Sequence, residues 1–163
     1  MDIEKDLAQI ARQESVLRFD RFDPEVAWEV GLALKAEAVR RGVGIAMEVS
    51  TPAYTLFSYS MAGATPDNAD WIRRKRNTVF RIHRSSYAIS LEAKRDGRSL
   101  AERWGVKPAD YVAAGGGFPL WVGGSCIGAV VVSGVPQRDD HDIVVRSLSA
   151  VLGKPVESLP PET

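Results

Sequence analysis

Two clusters of side chains in this chain have the types and spacing to do chemistry, and a third segment has the backbone for it. The first cluster is basic. Arg73, Arg74, Lys75, Arg76, Arg81 and Arg84, with His83 among them, crowd one segment of a protein whose formal net charge is zero. At about 100° per residue on a helix, Arg73, Arg76, Asn77, Arg81 and Arg84 fall largely opposite an apolar stripe of Trp71, Ile72, Val79 and Ile82. A carboxylate, phosphate or propionate would find bidentate guanidinium partners on that face. The same face serves equally as a solvated surface whose salt bridges tie down a loop or a neighbouring subunit.

The second cluster is Asp139-Asp140-His141-Asp142, which opens the last helix directly after Ser133-Gly134-Val135-Pro136. Carboxylates at a helix start are favoured by the dipole and by free backbone N–H groups, which accounts for at least one of these aspartates. His141, flanked by acids, is a candidate metal ligand or proton carrier, because carboxylates raise imidazole basicity. With Asp140 it makes the candidate catalytic pair. His83 is the only other histidine, and two histidines in separate segments form no zinc-type spacing. The third feature is Gly115-Gly116-Gly117 ahead of Phe118, a backbone free to cradle an anion or lie against a flat ligand. It lacks the G-x-G-x-x-G order and the lysine of phosphate-binding loops, and it reads equally as a tight crossing at a sheet edge.

These groups need elements to hold them. Ile3, Leu7 and Ile10 recur at helical spacing, so residues 2–14 read as an amphipathic helix. Residues 16–22 alternate through Leu17 and Phe19 like a short strand. Asp23-Pro24 starts a helix by two signals, an N-cap acid and a first-turn proline, and Gly42 ends it. Residues 43–49 and 54–59 read as paired strands. After the breaker cluster at 63–67, a long helix carries Trp71, Ile72, Lys75, Val79 and Ile82 down one side. Residues 85–94 form another helix, and Ser99 with Glu102 is a capping box for a short one ending at Gly105. Residues 120–122 and 125–133 form a hairpin around Gly123-Gly124. Its uncharged run from Cys126 to Val132 reads as buried on both faces, with Cys126 a small hydrophobe. The last helix shows Val144, Leu148, Val151 and Leu152 on one stripe and stops at Gly153.

Composition narrows the partners. Zero net charge gives no bulk attraction to nucleic acid or to an anionic membrane. No apolar run reaches bilayer length, and one cysteine forms no internal disulfide, so a cytoplasmic protein is expected. The start, MDIEKDLAQIARQE, has no basic or apolar leader character. The 163 residues read as one domain, with a helix over 1–15 and a loose tail over 154–163. Strands that run together rather than alternating with helices favour an α+β fold with about five antiparallel strands.

GGGFPLWVGGSCIGAVVVSG, followed by DDHD, resembles the C-terminal signature of the haem-degrading-domain family. GGGFP, VSGVPQ, the Asp140-His141 pair and RKRNTVFRIHRSSY resemble a branch of small cytoplasmic proteins within it, over Leu17 to Leu152. The resemblance implies a two-layer α+β domain similar to PAS and profilin architectures, with a five-stranded antiparallel sheet. It also implies self-association into dimers or larger rings, and haem or a corrinoid-related ligand in some members. On that reading a small-ligand-binding module, with haem-like tetrapyrrole as the ligand class, would use Gly115, Gly116, Gly117 and Phe118. Arg73, Arg76 and Asn77 would meet its carboxylates, and His83 or His141 would serve as axial ligand. An acid/base or metal-assisted enzyme using His141 and Asp140, and an assembly protein that works through its surfaces, are the alternative classes.

Overall fold

The computed structural model describes residues 1–161. Its elements follow in the order α1 (Ile3–Val16), α2 (Pro24–Arg41), β1 (Ala46–Ser50), β2 (Thr55–Ser60), α3 (Pro66–Ile82), α4 (Ser86–Asp96), α5 (Leu100–Trp104), β3 (Gly117–Val122), β4 (Ser125–Ser133) and α6 (Gln137–Leu152). Local chemistry sets several of these limits. Asp23 accepts the Val26 N–H at 2.9 Å with Pro24 behind it, and Gly42 closes α2 in the left-handed region at φ 68°. Ser99 and Glu102 exchange the two hydrogen bonds of a capping box at the start of α5.

The sheet is antiparallel with strand order β2-β1-β4-β3, so among the described residues it holds four strands rather than the five expected. The missing strand is residues 16–22. Leu17 and Phe19 are buried as their alternation implies, yet the segment makes a single parallel bridge, Phe19 to Val122. The cap of α2 begins only four residues later, which leaves no length for a ladder.

Helices cover both faces of this sheet, which corrects the two-layer expectation. Met47, Val49, Val130 and Val132 face α2 and α6, packing with Leu34, Ala38, Val144 and Leu148. Their neighbours Ala46, Ala129 and Val131 point the other way, against Ile72 and Val79 of α3. The uninterrupted valine run in β4 follows from having no solvent face. α2 comes down so closely on β2 that a Cβ on Gly31 would lie 2.4 Å from the Phe57 ring.

The segment after α6 is packed rather than loose. Val156 and Leu159 are buried, and the Glu157 carbonyl accepts from Gln9 at 3.0 Å and Gln13 at 2.8 Å. Arg138 reaches the Pro160 carbonyl as well. Residues 162 and 163 of the expected tail lie outside the described residues.

Candidate functional site

Ile72, Lys75 and Val79 occupy the buried face of α3, so an ammonium group stands in an otherwise apolar stripe. Such a group needs a counter-charge at the same depth. Asp140, in the first turns of α6, supplies it: Lys75 Nζ donates to Asp140 Oδ2 at 2.9 Å, with the two side chains 3% and 2% exposed. Lys75 Nζ also donates to the Val132 carbonyl at 3.0 Å, and Asp140 Oδ1 accepts the Val135 N–H at 3.2 Å. One ion pair therefore joins α3, the end of β4 and the start of α6. Burial pushes the Asp140 carboxyl up to about 6 against the pull of Lys75, and burial lowers the Lys75 ammonium against the pull of Asp140. Both shifts run toward a neutral pair, so desolvation outweighs the mutual attraction.

The three glycines bring backbone onto this pair. Gly116 has φ 121°, and a Cβ there would stand 2.5 Å from the Val132 carbonyl oxygen and 2.8 Å from Lys75 Nζ. A Cβ on Gly115 would stand 2.1 Å from the Gln137 carbonyl oxygen. The Gly115 N–H donates to Gln137 Oε1 at 3.2 Å, the Gly117 N–H to Ser86 Oγ at 2.9 Å, and the Gly116 carbonyl accepts the Val132 N–H at 3.0 Å. Phe118 is fully buried in the core. Gly115 to Phe118 therefore stand behind the site and build its wall by close approach.

Beside the pair opens a cavity of about 510 Å³. Asn68 and Trp71 of α3 form one side, Val112 to Ala114 a second, and Ser133 to Val135 with Gln137 a third; Lys75 and Asp140 complete the lining. Trp71 is fixed by its Nε1–H to Asp67 at 3.0 Å and by the Arg74 guanidinium 4.3 Å above its ring. The arrangement offers a donor and an acceptor in a low-dielectric wall, with aromatic and aliphatic surface around them.

The remaining candidates are placed elsewhere. Arg73 donates to Asp70 at 3.0 Å and Asp110 at 2.9 Å, Arg76 spans both oxygens of Glu48 at 2.9 Å, and Asn77 donates to the Asp110 carbonyl at 2.9 Å. Much of the basic face is thus spent on holding β1 and the 109–112 loop. Arg76 and Asn77 also line a separate hollow near Tyr54 and Phe80. His83 is exposed at the C-cap of α3, in the left-handed region at φ 60°, edge-on to Trp121. His141 is buried between Tyr87 and Phe118, with Nε2 2.8 Å from Gln13 Oε1 and, among the described residues, no hydrogen-bond partner for Nδ1. Burial pushes its pKa down to about 4, so the ring is neutral. Successive residues on a helix diverge by about 100°, and Asp140 and His141 accordingly face different elements. They form no pair. Among the described residues no three His, Cys, Asp or Glu side chains gather to hold a metal ion. Cys126 is half-buried, and burial pushes its thiol up. Lys75 was hidden in the stripe at the level of sequence; a lysine four residues from both Trp71 and Val79 was itself the signal of a buried partner.

A four-stranded antiparallel sheet between helical layers, with the β3–β4 hairpin running into the last helix, defines the class. Its solved counterparts include Ybr137w, with a TM-score of 0.82 and 24% identity over 91% of this chain and 90% of that one. A PduOC:heme complex has a TM-score of 0.70 and 19% identity over 84% of this chain and 97% of that one. The chain belongs to the family described as haem degrading protein HbpS-like, whose family model matches residues 22–149. It is similar at 48% identity over 160 residues to a UPF0303 protein of Rhizobium johnstonii, covering 98% of each chain. No helix among the described residues is long and apolar enough to cross a membrane.

Proposed function

We propose that this protein is a small-ligand-binding module whose ligand enters the cavity beside Lys75 and Asp140. The observation that carries this reading is an ion pair 3% and 2% exposed that lines an open cavity. Well-packed apolar residues would join α3 to α6 without desolvating two charges. A pair on a cavity wall instead presents a donor and an acceptor to a bound molecule, and perturbed titration beside a cavity is a mark of functional sites. The ligand is a small organic molecule with a polar end for Lys75 and Asp140 and a flat or apolar remainder against Trp71, Ala113 and Val135.

A tetrapyrrole is the second reading, favoured by the family description and by the PduOC:heme complex of the same fold. The residues at the cavity do not fit a haem held through its iron. Among the described residues, no histidine, cysteine, methionine or tyrosine lines it, and Lys75 is committed to Asp140. His83 and His141 stand outside it, one at the far end of α3 and one enclosed with Gln13. A tetrapyrrole here would be held by its edge and carboxylates, with Arg73, Arg76 and Asn77 available only on leaving Asp110 and Glu48.

The test is a fragment screen by saturation-transfer NMR on the wild type and on Ala114→Trp, which fills the cavity. Fragments that bind the wild type at least ~10-fold more tightly than the filled variant support the reading. Equal binding to both, or no binding up to about 1 mM, overturns it. Haemin is titrated in parallel: a Soret shift lost in Ala114→Trp but kept in His83→Ala supports a tetrapyrrole in this cavity, and a shift lost in His83→Ala places it elsewhere.

A further inference from the structure

Lys75 Nζ is held by the Val132 carbonyl at 3.0 Å and by Asp140 at 2.9 Å, on the wall of a cavity of about 510 Å³. One proton passing along the hydrogen bond to Asp140 turns the ion pair into an amine and a carboxylic acid with no change in net charge. Burial favours that exchange, because it pushes the Asp140 carboxyl up to about 6 and lowers the Lys75 ammonium. Among the described residues, Lys75 and Asp140 are the only charged groups lining the cavity, and each is the charge that shifts the other. A lysine free in water is about 0.1% amine or less at pH 7. A desolvated lysine with a proton acceptor in contact is instead the kind that attacks carbonyl carbon. Gly116 packs against the nitrogen, where a Cβ would stand 2.8 Å from Nζ, so no side chain covers it from that side. A purely structural ion pair accounts for the distance but not for the open space beside the nitrogen.

We propose, building on ligand entry at this cavity, that Lys75 captures a neutral aldehyde or ketone there as an imine, with Asp140 as the proton carrier. Lys75 Nζ attacks the carbonyl carbon as the oxygen takes the Asp140 proton, and the proton freed on nitrogen returns to Asp140. Asp140 then protonates the hydroxyl, which leaves as water while the nitrogen lone pair closes the C=N bond. A protonated imine stands against the Asp140 carboxylate, so the ion pair is restored and nothing is oxidised or reduced. Charge selects the substrate class. The pair is neutral overall, so the carboxylate of a 2-oxo acid would meet Asp140 without a surplus cation in the cavity lining. The uncharged remainder of an aldehyde or ketone lies against Trp71, Ala113 and Val135.

Reductive trapping tests it. The protein is incubated at neutral pH with millimolar benzaldehyde and cyanoborohydride, which reduces an imine to a stable amine, and labelled lysines are located by peptide mass spectrometry. Lys75 is labelled at least ~10-fold faster than the exposed Lys35, Lys94 and Lys107. Asp140→Asn keeps an oxygen beside Nζ but carries no proton, and slows that labelling at least ~10-fold, with circular dichroism as the check on folding. Ala114→Trp abolishes it. Phenylglyoxylate adds a carboxylate to the same ring and carbonyl, and its preference for Lys75 over the exposed lysines is at least ~10-fold weaker. Labelling of Lys75 no faster than of the exposed lysines overturns the proposal, and so does labelling that Asp140→Asn or Ala114→Trp leaves unchanged. An equal preference with phenylglyoxylate overturns the charge selection. Fragments that bind the wild type and not Ala114→Trp, beside an unlabelled Lys75, overturn the imine while ligand entry stands; absence of both overturns the two together.

Discussion

Replacing Lys75 by methionine keeps most of the buried stem and removes the ammonium group. Asp140 is then left 2% exposed, with the backbone N–H groups of Val135, at 3.2 Å, and Gly134 as donors. Removing one member of a buried pair costs about 3–5 kcal/mol, because the other charge stays desolvated. The loss depends on pH, and its sign follows from the carboxyl. Burial already holds Asp140 at about 6, above the ordinary 3.8, while Lys75 pulls it down; without Lys75 it rises further. A carboxyl whose folded value is raised binds a proton more readily folded than unfolded. Its stabilising contribution is present below about 4 and is lost as pH climbs through the folded value, at about 1.4 kcal/mol for each pH unit that separates the folded and unfolded values. Lys75→Met is therefore less damaged at pH ~5 than at pH ~8, each compared with the wild type at the same pH. Urea denaturation at the two pH values measures this. Lys75→Met/Asp140→Leu, with no buried charge, recovers most of the loss. A loss below about 1 kcal/mol at pH ~8, or one identical at the two pH values, would show that the pair does not hold a desolvated charge.

Three further outcomes follow. His141 is held at about 4 against an ordinary 6.5, so the unfolded chain protonates first. Its contribution, about 3 kcal/mol, is present above pH ~6.5 and lost as pH falls toward ~4, while Asp140 acts in the opposite direction over part of that range. His141→Gln, which retains a partner for Gln13 beside Asp6, Arg138 and Asp142, flattens the acid limb of a stability–pH curve; an unchanged limb contradicts the assignment. Gly116→Ala forces a Cβ to 2.5 Å from the Val132 carbonyl oxygen at φ 121°, so denaturant melts show a loss of about 2–3 kcal/mol, and a neutral result contradicts that packing. Truncation after Lys154 exposes the sites of Val156 and Leu159 and removes the Glu157 carbonyl from Gln13, lowering stability by about 3 kcal/mol in calorimetry. An unchanged melting temperature sinks the claim that the tail is structural.

Whatever local chemistry dictated was legible in the sequence. The limits of α2 follow from Asp23, Pro24 and Gly42, and the hairpin follows from Gly123-Gly124 between apolar runs. Burial of Leu17 and Phe19 was legible as well, but a strand also needs length beside a partner, and α2 begins too soon. The packed tail depends on carbonyls meeting Gln9, Gln13 and Arg138 from distant segments, which no local pattern encodes. The site was half visible. Asp140 stood out as an acid at a helix start, but its neighbour His141 suggested the wrong partner. The true partner lies 65 positions away in sequence and was masked by its place in an apolar stripe. Glycines at 115–117 were conspicuous for a reason the sequence leaves open: they make room for other atoms of the protein rather than for a ligand.

Binding of a small molecule against Lys75 and Asp140 is the proposal on which the functional reading stands, and amide chemical shifts report on it residue by residue. The protein is titrated with the tightest fragment from the screen while ¹H–¹⁵N spectra are recorded. Saturable shifts are expected at Val112, Ala113, Ala114, Gly134 and Val135, and they are abolished in Ala114→Trp. Shifts centred on Trp121 and His83, or spread without saturation over the surface, contradict it.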